Sequence, residues 1–224
     1  MILTQLQQLI GGIYDVSIAH DVYDFLVTDR KRLPVSVRDR ASEEDLIVAQ
    51  PAAAGGEAGI SLYLDQGLLE RLQRENPMVR LHDGNVADYW TALEGVSHFL
   101  YLAWNAGHDR PVSILELEMQ AEVDKYVASY WLLRRQVPGH FPAELPQLLF
   151  ARTRVAEPLA GERVALYQEA SRYAEKFCRR LERLLVRAQG GGEGCSAAGE
   201  VLTQLRRFYR LTNARKRSLI ESGA

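Results

Sequence analysis

A chain of 224 residues that is 47% hydrophobic and 25% charged has the make-up of an ordinary soluble globular protein. Its length buries enough surface that neither a disulfide nor a metal is needed for folding, and no stretch approaches the ~20 continuous apolar residues of a membrane span. The net charge of −2 hides a split: residues 1–149 carry 12 basic and 21 acidic side chains, residues 150–224 carry 15 and 8.

The first segment, MILTQLQQLIGG, has Leu3, Leu6, Leu9 and Ile10 at helical spacing, and Gly11-Gly12 predicts its end. It lacks the basic n-region and small-residue cleavage site of a secretory signal, so the expected location is cytoplasmic. Tyr14, Val16 and Ile18 alternate with polar residues and predict a strand, with a second strand or an extended continuation over 22–28. Residues 30–45 are polar and broken by Pro34, which predicts a loop with at most one helical turn. Two strand-like runs, 46–50 and 59–65, flank a Gly/Ala-rich hairpin loop, and a short helix follows to Asn76-Pro77.

From residue 85 the pattern is helical. The first long helix covers about 85–105. The second opens at Ser113, with Glu116 three residues later, a Ser-x-x-Glu capping box. The proline-rich run 136–146 is a connector. A third helix over about 161–189 has the apolar stripe Leu166, Ala170, Tyr173, Phe177, Leu181, Leu184 and Ala188. GGGEG at 190–194 is a flexible break, and a fourth helix runs from about Ser196 to Ser222, with Val201, Leu205, Phe208 and Leu219 inward. The expected fold is α+β, mainly α: a small antiparallel sheet region over 1–80, then a bundle of about four long helices over 85–222, the two regions forming one domain or two.

Polar groups inside the apolar helices need an account, because burying them unpaired is costly. The first helix is apolar on two sides, with Glu94, His98, Tyr101 and Asn105 along one flank; Glu94 and His98 stand one turn apart and can touch. On the second helix Glu118, Glu122, Lys125 and Ser129 form a matching stripe. One reading is a buried network in which His98 holds Glu94 and Lys125 holds Glu118 or Glu122. The other is an enzyme using Glu94, His98, Glu118 and Glu122 as catalytic candidates, with or without a metal. The spacing is not the Glu-x-x-His of di-iron bundles, and residues 161–222 contain no histidine, so neither a metal nor a cofactor is expected.

His20 with Asp21 and Asp24, His82-Asp83 and His108-Asp109 fall where turns and caps are expected, and Asp is a normal residue there. No Gly-x-Ser-x-Gly, His-Glu-x-x-His or phosphate-cradling glycine loop is present. Cys178 and Cys195 make no CxxC and have no ligand-spaced histidine; Cys178 falls on an apolar stripe, as a core residue would, and a disulfide between the two is a minor alternative.

On the third helix Arg172, Lys176, Arg179, Arg183 and Arg187 recur every three or four residues as a basic ridge. Arg206, Arg207, Arg210, Arg215, Lys216 and Arg217 follow on the fourth. The ridge fits a phosphate backbone, a solvated face with local glutamate pairs, or docking on the acidic first half. The functional expectation is therefore an interaction or regulatory protein. Its partner would be another protein or a second copy, with nucleic acid as the alternative partner of the basic helices; no membrane is involved.

Overall fold

The computed structural model describes residues 1–38, 43–49, 59–152, 161–190 and 194–222. It is mainly helical with one small sheet. The amino-terminal part holds α1 (Ile2–Tyr14), a 3-10 turn (Val22–Phe25), β1 (Leu26–Val27), a second 3-10 turn (Arg30–Arg32), α2 (Val35–Arg38), β2 (Glu44–Ala49), β3 (Gly59–Leu64) and α3 (Gln66–Arg74). The helical part holds α4 (Val86–Ala106), α5 (Ile114–Gln136), α6 (Leu145–Arg152), α7 (Gly161–Gly190), α8 (Gly194–Tyr209) and α9 (Asn213–Glu221). None of the described helices is long and apolar enough to cross a membrane.

Four expectations are revised. The first helix does not stop at Gly11-Gly12 but continues to Tyr14 and ends on Asp15 in the left-handed region (φ 55°). Burial of Leu3, Leu6, Ile10, Ile13 and Tyr14 in one core overrides a glycine cost of about 1 kcal/mol each. The strand expected at 14–18 is absent, and the one expected over 22–28 shrinks to Leu26–Val27, because Asp21 caps a 3-10 turn over Val22–Phe25 by accepting from Tyr23 N at 2.9 Å. The sheet is mixed rather than antiparallel. Its order is β1-β3-β2, with β1 parallel and β2 antiparallel to β3. The fourth long helix is broken after Tyr209, and α9 restarts behind Thr212, where Asn213 Nδ2 donates to Ser113 Oγ at 3.0 Å and ties the restart to the head of α5.

The hairpin β2–β3 and α3–α5 fall where the pattern predicts them. The expected hairpin loop and glycine break lie mostly outside the described residues, as does the side chain of Cys195; Cys178 is a free, fully buried core thiol. One apolar core draws on α1, β3, α3–α8 and their aromatic contacts, including stacked Phe177–Phe208 and Tyr14–Tyr209 pairs with centroids 4.0 and 4.3 Å apart. The stripe of α7 is as expected to Leu181. The next turn buries Leu185 and leaves Leu184 partly exposed.

Two local features position the site. Gly95 on α4 lies against the sheet, where an added Cβ would stand 2.8 Å from Leu62 Cδ1 and 3.0 Å from Glu44 Cγ. The missing side chain leaves room for Leu62 and Glu44 to pack directly on α4, and a larger residue would have to push both aside. Ser113 starts α5, its Oγ accepting from Glu116 N at 3.2 Å. The Glu116 carboxylate turns inward and accepts from Tyr101 Oη at 2.6 Å, so half of the expected capping box forms. Ser113→Ala is expected to lower stability by about 1 kcal/mol; an unchanged urea midpoint would remove Ser113 as the cap.

Candidate functional site

The polar flanks of α4 and α5 do face each other, and β2 contributes a third wall. Lys125 on α5 carries two carboxylates: its Nζ lies 2.5 Å from Glu94 Oε2 and 2.9 Å from Glu122 Oε1. His98 on α4 carries two others, with Nδ1 3.6 Å from Glu44 Oε1 and Nε2 3.6 Å from Glu118 Oε2. The four candidates Glu94, His98, Glu118 and Glu122 thus converge, but with exchanged partners. Lys125, not His98, holds Glu94, and His98 faces Glu118. The pairing depends on how the two helices are rotated about their axes, which no single-helix projection contains. Glu44 escapes a reading of the sequence because it sits in an acidic run that resembles a loop and reaches the site only through the β2–β3 pairing.

The cluster is nearly dry. Side-chain exposure is 5% for His98, 10% for Glu118 and Lys125, 12% for Glu122 and 13% for Glu44, while Glu94 keeps 26% and forms its solvent edge. Four carboxylates face two cationic groups, and their acidities report this excess. Burial, reinforced by neighbouring carboxylates, pushes Glu44 up to about 7 and also raises Glu122. Burial acts the same way on Glu94, but Lys125 outweighs it and leaves that carboxyl below its ordinary range. For His98, burial favours the neutral ring, yet Glu118 and Glu44 win and hold it well above the usual histidine value. Lys125 is likewise raised: the desolvation that would lower it is overcome by Glu122 and Glu94. Glu94, His98 and Glu118 each bring one ligand-type atom within 4.8 Å of the others, the grouping among the described residues with donors for a metal ion.

A second polar network ties the same two helices to α1 and α9. Asp124 accepts from Tyr14 Oη at 2.5 Å, Ser97 Oγ at 2.5 Å and Gln120 Nε2 at 2.8 Å. Lys216 of α9 donates to Gln120 Oε1 at 2.6 Å and Tyr101 Oη at 2.9 Å, and its ammonium stands over the Tyr101 and Phe208 rings. Lys216, expected on an exposed basic helix, is fully buried. One sequence signal marks it: Lys216 precedes Leu219 and Ile220 by one turn and shares their face.

The remaining basic residues of the carboxyl-terminal part divide. Arg206 donates to Ile13 O at 3.3 Å, and Arg210 to Tyr14 O at 3.0 Å and Asp15 O at 2.9 Å, so both satisfy carbonyls at the end of α1 and complement its dipole. Arg172, Lys176, Arg179, Arg183 and Arg187 are all exposed along α7. Arg179 pairs with Glu175 at 2.8 Å. A shallow depression beside the ridge is lined by Lys176, Arg179, Arg180, Arg183, Glu182 and Ile220, where α9 crosses α7.

Asp109 occupies the left-handed region (φ 52°) in the α4–α5 turn, and Asp21 caps its 3-10 turn, which is the conformational work expected of them. Comparison of the chain with protein-family models, curated proteins and solved structures finds no match.

Proposed function

We propose that the chain is a non-catalytic interaction protein that seats a nucleic-acid phosphate backbone on the basic face of α7. One observation carries the reading: Arg172, Lys176, Arg179, Arg183 and Arg187 stay exposed on a single line of one long helix, whereas Arg206, Arg210 and Lys216 further along the chain make contacts within the molecule. At 1.5 Å per residue the line runs about 22 Å, long enough for several successive phosphates. Four of its five residues are arginines, whose guanidinium fork fits phosphate oxygens in pairs. Such contacts position a backbone without reading bases, so the expected binding is indifferent to sequence.

The test is binding to a generic duplex as salt is raised. Five phosphate contacts predict a log–log slope near −0.9 per contact, a loss of about a hundredfold or more between 50 and 200 mM salt. Arg179→Glu with Arg183→Glu is expected to abolish binding and leave the helical signal intact, since both side chains are exposed. Absence of binding at 50 mM salt, or equal binding by the double variant, would reject the proposal.

A further inference from the structure

We propose that Glu94, His98 and Glu118 form a binding site for one divalent transition-metal ion of the zinc or cobalt class, held between α4 and α5 and backed by β2. Four observations converge on it. The first is placement: the three side chains arise from two helices and bring one ligand atom each within 4.8 Å of the others. The second is spacing. His98 Nε2 and Glu118 Oε2 are 3.6 Å apart, beyond hydrogen-bond reach. Two ligands bound at about 2.1 Å across a tetrahedral angle stand about 3.4 Å apart, so His98 and Glu118 already have nearly the spacing of a bound pair, and Glu94, within 4.8 Å of both, closes in to complete it.

The third observation is an unmet demand. His98 Nε2 is buried without a hydrogen-bond partner, on a side chain only 5% exposed. A ring nitrogen in that position calls for a proton acceptor at closer range or for a metal. The fourth is charge. Four carboxylates, from Glu44, Glu94, Glu118 and Glu122, surround the two cationic groups Lys125 and His98. A divalent cation that takes the place of the proton on His98 Nε2, which leaves to solvent, adds a net charge of one and halves the excess where water is nearly excluded.

The rest of the cluster suits an outer shell. The Glu44 carboxylate lies on the Nδ1 side of His98, the position from which a carboxylate orients a metal-bound imidazole. Lys125 approaches Glu94 through Oε2, and a carboxylate has a second oxygen with which to meet the ion. Glu94 keeps 26% of its side chain exposed, which gives an ion and one water ligand a way in. One imidazole with two carboxylates favours zinc or cobalt over magnesium or calcium, which take all-oxygen sites. Three donors of one atom each, gathered at one point, suit a single ion.

The experiment starts from chain stripped with chelator and titrated with Co²⁺ and Zn²⁺. The expected result is one equivalent bound per chain, an intense visible Co²⁺ spectrum of four- or five-coordinate type, displacement by Zn²⁺, and a Tm raised by several degrees. Glu118→Gln, a neutral isostere that relieves the charge excess, should fold at least as stably without metal and bind Zn²⁺ at least tenfold more weakly. His82→Gln with His140→Gln removes the exposed pairs with Glu75 and Glu144 and should bind as the unaltered chain does. No saturable binding at millimolar Zn²⁺ would overturn the proposal, as would a weak octahedral Co²⁺ spectrum, or binding lost in the His82/His140 variant and kept in Glu118→Gln. Should Glu118→Gln fail to fold, the Co²⁺ spectrum of the unaltered chain decides alone.

Discussion

Lys125→Met is expected to destabilise the chain by about 3–5 kcal/mol, the usual loss when one partner of a buried ion pair is removed. Lys125 is 10% exposed and holds Glu94 and Glu122 at 2.5 and 2.9 Å. Methionine fills the stem's volume but leaves two carboxylates facing each other without a cation. The loss should shrink at lower pH, where the orphaned carboxylates take up protons and shed their charge. Lys125→Met with Glu122→Gln should recover part of it, because the two sites share one interaction. Urea unfolding of the parent and the two variants at pH 5 and pH 7.5 measures both effects. A single-variant loss under about 1 kcal/mol would mean that the ammonium is not what holds the flank together.

Lys216→Met is expected to behave in the opposite way. Lys216 is fully buried, and both of its hydrogen-bond partners are neutral. Burial, against the pull of Glu116 and Asp124 and with a push from Arg110, brings its amine down to about 7. The folded pKa lies below the unfolded value, so between about 7 and 10.5 the unfolded chain binds more protons and stability rises with pH. The penalty is complete below pH 7 and is relieved as pH climbs through this window. A tenfold difference in proton affinity between the folded and unfolded chain is worth about 1.4 kcal/mol, so the full rise is on the order of 5 kcal/mol, most of it complete before the tyrosines titrate. Methionine removes the amine and conserves volume, and the variant should match or exceed the parent at pH 6.5 while losing its rise between pH 7 and 9.5. A parent curve that is flat or falling over that window would refute the assignment.

The two lysines show what a sequence yields and what it withholds. Lys125 is legible as a buried cation because it falls on a polar stripe between two apolar faces of one helix. Its partner on α4 is not, since pairing depends on the mutual rotation of α4 and α5. Lys216 stands inside Arg-Lys-Arg, where local charge suggests solvent. Only the step to Leu219 and Ile220 marks the inward face. Glu44 carries no signal of its own: its role depends on a hairpin, on Gly95 and on a histidine 54 positions later. The long amphipathic helices and the Ser113 cap are readable because period and capping chemistry are local. The mixed sheet is not, because β1 is two residues long and pairs with β3 across more than thirty residues.

The contact of Glu44 with α4 across Gly95 also bears on how the hairpin comes to be aligned. Two strands joined by a turn hold together only marginally in water, and a slip of β2 by one residue would turn its side chains to the opposite face. In that slipped pairing Glu44 leaves His98, and Glu43 or the shorter Asp45 takes its place. The acidic run Glu43-Glu44-Asp45 would blur the alignment if charge alone chose it, but reach and the seat beside Gly95 distinguish the three. Docking on α4 therefore favours the observed alignment of the strands over its one-residue slips.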